Sequence, residues 1–119
     1  MKFAASLCIV ACAAFAPAAI AGDMSGLYGN TIACHYADGK LTKVWVAAGG
    51  HYSIQRPDGS TATGSWKDDG INVCYMDANP APGMKPVCSS SQLRKVGDSW
   101  DVTDPFGGHC TATLMAGQQ

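Results

Sequence analysis

The chain has 119 residues, 8 basic and 9 acidic side chains and a net charge of −1, and every acid is Asp. A near-neutral chain of this kind lacks the basic face that neutralises nucleic-acid phosphates or anionic headgroups. Without Glu it cannot carry an H-E-x-x-H zinc motif.

The chain opens with Lys2, an apolar and small-residue run over 3–15, the breaker Pro17 and the small-x-small site Ala19-Ile20-Ala21. This order predicts a signal peptide over 1–21, cut to leave a single domain over 22–119. Loss of Lys2 makes the remainder one unit more negative. The alternative is cleavage ahead of Cys12, where Ile9-Val10-Ala11-Cys12 resembles a lipoprotein box. No later apolar run approaches the ~20 residues of a spanning helix. The expected location is the periplasm or the exterior.

Strands are predicted near 27–36, 41–48, 51–56, 60–67, 70–77, 91–96, 99–103 and 109–115. They are short and rich in Thr, Val, Ile, Tyr and Trp. Turn signals separate them: Ala37-Asp38-Gly39-Lys40, Gly49-Gly50, Arg56-Pro57-Asp58-Gly59, Asp68-Asp69-Gly70 and Val96-Gly97-Asp98. The segment 79–86 carries Pro80, Pro82 and Pro86, which keep it out of any central strand. No helical stripe appears after the leader. The predicted fold is all-β: a small antiparallel meander closing into a barrel or half-barrel, braced by disulfides.

Cys8 and Cys12 leave with the leader. Cys34, Cys74, Cys88 and Cys110 remain, and export makes them disulfides. Three pairings are open. A Cys74–Cys88 bridge flanks the Pro-rich loop and closes about 15 residues, a stabilisation of about 3 kcal/mol from loop closure. Cys34–Cys110 would then tie the first strand to the last, and this pairing is favoured.

The same tie brings two histidines into play. With Cys34 opposite Cys110 in an antiparallel pair, His35 faces His109 on the other side of the sheet, Cβ atoms about 5 Å apart. Such a pair could share a metal ion, or lie as two exposed side chains beside a structural bridge. Trp45, Tyr52, Trp66, Tyr75 and Trp100 fall on different strands. Pointing inward, they either fill the barrel or line a pocket for an apolar ligand. Trp45 competes with Val44 and Val46 for the interior, and alternation admits one set only. His51, Arg56 and Asp58 are expected together at one end of a hairpin, as a solvated turn or a binding rim. There is no G-x-S-x-G elbow and no phosphate-cradling loop, and the aspartates sit at turns and strand ends. A catalytic role is not expected, and neither is a cofactor.

The order Gly26-Leu27-Tyr28-Gly29-Asn30-Thr31, Gly64-Ser65-Trp66, Val73-Cys74-Tyr75, Cys88 and Val96-Gly97-Asp98-Ser99-Trp100 resembles a group of small exported bacterial β proteins without an assigned activity. That resemblance spans almost the whole chain beyond the leader and implies a shared fold. The opening Gly-x-Tyr is similar to the Gly-x-Trp start of lipocalins, which implies an apolar ligand inside a barrel. Cys34, Asp38-Gly39 and a late Cys110 resemble the C-type lysozyme inhibitors of the bacterial periplasm, which implies a barrel tied early to late and an envelope protein as partner. The functional expectation is an exported, non-catalytic binding domain for a small apolar ligand or envelope component. The alternatives are an inhibitor of a lysozyme-type hydrolase and a metal-binding His pair.

Overall fold

A computed structural model describes residues 23–103 and 108–119; the leader assigned to 1–21 lies outside them. A 3₁₀ turn, Met24–Leu27, precedes eight strands. These are β1 Thr31–His35, β2 Leu41–Ala47, β3 His51–Gln55, β4 Thr61–Asp68, β5 Asn72–Asp77, β6 Val87–Ser90, β7 Ser99–Thr103 and β8 His109–Met115. All pairings are antiparallel, in the order β6-β5-β4-β3-β2-β1-β8-β7. The sheet curls into a nearly closed barrel with a seam between β6 and β7.

Local chemistry explains the hairpins. After β1, the Tyr36 amide donates to the Lys40 carbonyl at 3.0 Å and Gly39 N donates back to the Tyr36 carbonyl at 3.0 Å. After β3 the same turn recurs: Arg56 N donates to Ser60 O at 2.8 Å and Gly59 N to Arg56 O at 2.9 Å. In each, an aspartate accepts the amide two residues on, Asp38 from Lys40 and Asp58 from Ser60. Asp69 holds the next turn by accepting the Ile71 and Asn72 amides, both at 2.8 Å. These bonds favour the ionised form. Contacts from Ser60 hold the Asp58 carboxyl below its ordinary range, and the Asn72 and Ile71 amides do the same for Asp69. Asp101 departs from the expected pattern: it lies mid-strand on β7 and accepts a hydrogen bond from Thr111 at 3.4 Å.

Alternation sorts the side chains. Ile32, Cys34, Val44, Val46, Tyr52, Ile54, Val73, Cys110, Ala112 and Leu114 turn inward and form the core with Met24 and Leu27. Packing is tightest around β1, β2, β3 and β8, where Ile54, Ala112 and Leu114 are fully enclosed. Toward the seam the inward residues Tyr75, Val87, Ser89, Trp100 and Val102 are only half-buried. A serine at an interior position of β6 leaves space there that a larger apolar side chain would occupy.

Three expectations change. The first strand starts at Thr31, because Met24–Leu27 coils into a 3₁₀ turn capped by Asp23, which accepts the Ser25 amide. The strand expected at 91–96 is a connector, and the sixth strand is Val87–Ser90 instead. Leu93 and Val96 in that connector are 55% and 51% exposed, since their spacing matches no inward face. The connector is held at its ends: Ser91 N donates to Ile71 O, Lys95 N to Asp98 Oδ2 and Gly97 N to Leu114 O, and Leu114 N donates to Asp98 O. His51 and Arg56 lie at opposite ends of β3, five residues apart and so about 16 Å, and do not share a rim with each other.

Both disulfides have the favoured pairing, Cys34–Cys110 and Cys74–Cys88. Cys74 and Cys88 are direct cross-strand partners on the outer face of β5 and β6. Cys34 and Cys110 are not: Cys34 faces Ala112 and Cys110 faces Val102. The bridge therefore runs diagonally inside the barrel, with Cα atoms 5.4 Å apart. A shift of two residues leaves every side chain on its original face, so the apolar pattern does not distinguish the two registers. The C-terminal tail favours the observed one. Asn30 accepts the Gly117 amide, and the Thr31 hydroxyl donates to the Gly117 carbonyl at 2.7 Å and accepts the Gln119 amide at 2.8 Å.

Candidate functional site

The space left by β6 opens along the seam as a cleft. It is lined by the core residues Ile32, Cys34, Val44 and Val73, by Tyr75, Ser89 and Ser90 from β5 and β6, by Gln92 from the connector and by Trp100 and Val102 from β7. Met24 and Leu27 from the 3₁₀ turn close one end. Its volume is about 50 Å³, room for a few water-sized bodies. No backbone ladder joins β6 to β7 among the described residues. The seam can therefore widen by giving up side-chain contacts alone, whereas parting any other strand pair would break a row of hydrogen bonds.

Arg94 stands at the mouth. Its guanidinium carbon lies 4.2 Å from the centre of the Trp100 ring, a cation–π stack. The Arg94 backbone is held from below, where its carbonyl oxygen packs so closely on Gly26 that a Cβ there would collide with it. The position of this side chain thus depends on the 3₁₀ turn as well as on the connector. Ser91, between two cleft-lining neighbours, is 5% exposed and has a hydroxyl without a partner among the described residues.

The expected aromatics divide. Tyr52, Trp66, Tyr75 and Trp100 share the inner face, but only Tyr75 and Trp100 line the cleft. Tyr52 and Tyr75 meet edge to face at 5.4 Å between centroids. Trp66 closes the end near the 3₁₀ turn: its indole donates to the Ala47 and His51 carbonyls, and its ring lies 6.3 Å from Tyr28. Trp45 points outward, leaving the interior to Val44 and Val46, and donates to the Thr31 hydroxyl at 3.0 Å. It is not part of the cleft.

The histidines also part. His35 faces Thr111, and His109 faces Thr103, whose hydroxyl is 3.3 Å from His109 Nδ1. Both histidines border one open hollow on the outer face with Asp101, yet are not cross-strand partners. Among the described residues no three His, Cys, Asp or Glu side chains gather in a metal-binding group. Sequence patterning singles out neither Arg94 nor Ser89. Arg94 falls within the strand expected at 91–96; the broken alternation of Leu93 and Val96 ahead of Gly97-Asp98 is the available signal that it belongs to a connector.

Burial pushes the Tyr52 hydroxyl up to about 12, with Asp77 adding to the shift. Burial also raises Tyr75 to about 12, with Tyr52 and Asp68 contributing. Unfolded tyrosines ionise near 10, so between about pH 10 and 12 the folded state holds more protons. The resulting stabilisation is present below pH ~10 and is lost as pH rises through ~12. Ultraviolet titration of the four tyrosines should show a late-ionising group that moves together with unfolding. Simple titration of all four near the free value would contradict this burial.

No protein-family profile, no curated protein and no solved structure matches the chain.

Proposed function

We propose that the protein is an exported, non-catalytic binding domain that takes a small apolar ligand into the seam cleft. The observation that carries this reading is the cleft itself: an apolar floor beneath the one strand junction that lacks a hydrogen-bond ladder among the described residues. An apolar group entering there would replace water over the half-buried Tyr75, Trp100 and Val102, at about 25 cal/mol for each Å² removed from water. The tight half of the barrel serves as a rigid frame, and entry displaces only β6, β7 and their connector. Export is supported by the leader pattern of 1–21 and by the two disulfides, which persist in oxidising compartments.

The test is a titration of the oxidised domain with the neutral apolar dye N-phenyl-1-naphthylamine. Saturable enhancement at one site per chain is expected. In Ser89→Trp, which fills the inner position of β6 opposite Val73, the affinity should drop by about tenfold or more, equivalent to ~1.4 kcal/mol. Circular dichroism checks that the variant keeps its sheet. A wild-type protein that leaves the dye emission unchanged would rule the reading out.

A further inference from the structure

We infer that the ligand of this cleft is a single-tailed amphiphile with an anionic head group, and that Arg94 holds the head. The inference rests on the cleft being a ligand site, as proposed above. It turns on a cation that lines an apolar space and that no carboxylate contacts among the described residues. Among the described residues no carboxylate lies within ion-pair distance of Arg94. Asp98 acts on it through space but makes no contact with it, and its Oδ2 accepts the Lys95 amide at 3.0 Å.

Stacking accounts for the face of the guanidinium only. A guanidinium over an indole keeps its N–H groups at the edge, directed in the ring plane, where they can grip a carboxylate or a similar planar anion in a bidentate fork. Among the described residues the guanidinium meets no such acceptor. Partial burial also draws the Arg94 pKa below its ordinary value, with Asp98 and Tyr75 opposing the shift. Loss of water outweighs the attraction of Asp98 at this position. An anion seated there would restore the missing partner.

The rest of the site suits the same ligand. The lining also carries Ser89, Ser90 and Gln92, neutral groups that can donate to a head group. The rest of the lining is mainly apolar, with Met24, Leu27, Ile32, Val44 and Val73, so one basic group borders a largely apolar space. A cationic head would face Arg94, with exposed Lys95 beside it, and would be repelled. A neutral tail alone would leave the guanidinium as it stands. The Arg94 carbonyl packs on Gly26 and its guanidinium on the Trp100 ring, which place the side chain beside the cleft.

The experiment is displacement of N-phenyl-1-naphthylamine by three ligands with one tail, used below their micelle concentrations: dodecanoate, dodecanol and dodecylammonium. Dodecanoate should bind about tenfold or more tighter than dodecanol, as expected for a charge-assisted hydrogen bond in a partly desolvated site, with dodecylammonium weakest. In Arg94→Gln the preference for dodecanoate over dodecanol should collapse to near unity, while Arg94→Lys, which keeps the charge, should retain part of it. Equal binding of dodecanoate and dodecanol by the wild type, or a preference that survives in Arg94→Gln, would overturn the inference and leave the apolar cleft standing. Failure of all three to displace the dye would remove the tail site and both conclusions with it.

Discussion

Replacing Cys34 and Cys110 together by alanine lowers the unfolding free energy by about 4.5 kcal/mol, against about 3 kcal/mol for the Cys74 and Cys88 pair, on loop-closure entropy alone. The sequence separations are 76 and 14 residues, so the first bridge removes far more freedom from the unfolded chain. Burial adds to the contrast. Cys34 and Cys110 are 2% and 6% exposed inside the barrel, and alanine there leaves unfilled space in the wall. Cys88 is exposed on the outer face, where truncation costs little. Against a total stability of about 5–15 kcal/mol for a domain of this kind, loss of the longer bridge is a large fraction. Urea denaturation followed by circular dichroism gives both values. An equal or smaller loss for the Cys34 and Cys110 pair would contradict this ordering.

Gly64→Ala should cost about 3 kcal/mol, at the upper end of what overpacking a core does. Gly64 faces inward on β4, directly opposite Tyr52. A Cβ at this position would collide with the Met76 carbonyl oxygen on β5 and with the Tyr52 ring. The ring can rotate away, but only by leaving its edge-to-face contact with Tyr75. The carbonyl is part of the neighbouring strand, so relief requires β4 and β5 to separate. Gly59→Ala is the informative comparison. Gly59 has a φ of 88°, but nothing lies within 4 Å of the place a methyl group would take, so its cost is conformational and about 1 kcal/mol. If the two variants are equally stable, the absence of a side chain at Gly64 is not what seats Tyr52.

The turns are readable because their chemistry is local. Asp38-Gly39 and Asp58-Gly59 each combine an acceptor that caps the amide two residues on with a residue free to take positive φ, and all of these atoms lie within five residues. The inner faces of β1, β3 and β8 follow from alternation for the same reason. Trp45 stays undecided in the sequence because β2 offers two apolar sets, and the choice goes to Val44 and Val46 once the Thr31 hydroxyl and the tail give the indole a partner outside. The sixth strand is misplaced by local propensity because β6 is four residues long and is defined by Cys88 lying opposite Cys74, a pairing that propensity does not encode.

What the sequence determined by itself was every feature carried by neighbouring residues: the all-β class, the hairpin turns, and the period-two sorting of inward from outward side chains. The tertiary structure decided the β1–β8 register, the position of the seam and the placing of Arg94 over Trp100. The physical reason is that alternation is unchanged by a slip of two residues and says nothing about which strand edges stay unpaired. Those choices depend on contacts summed across the whole barrel, between residues as distant as Thr31 and Gln119.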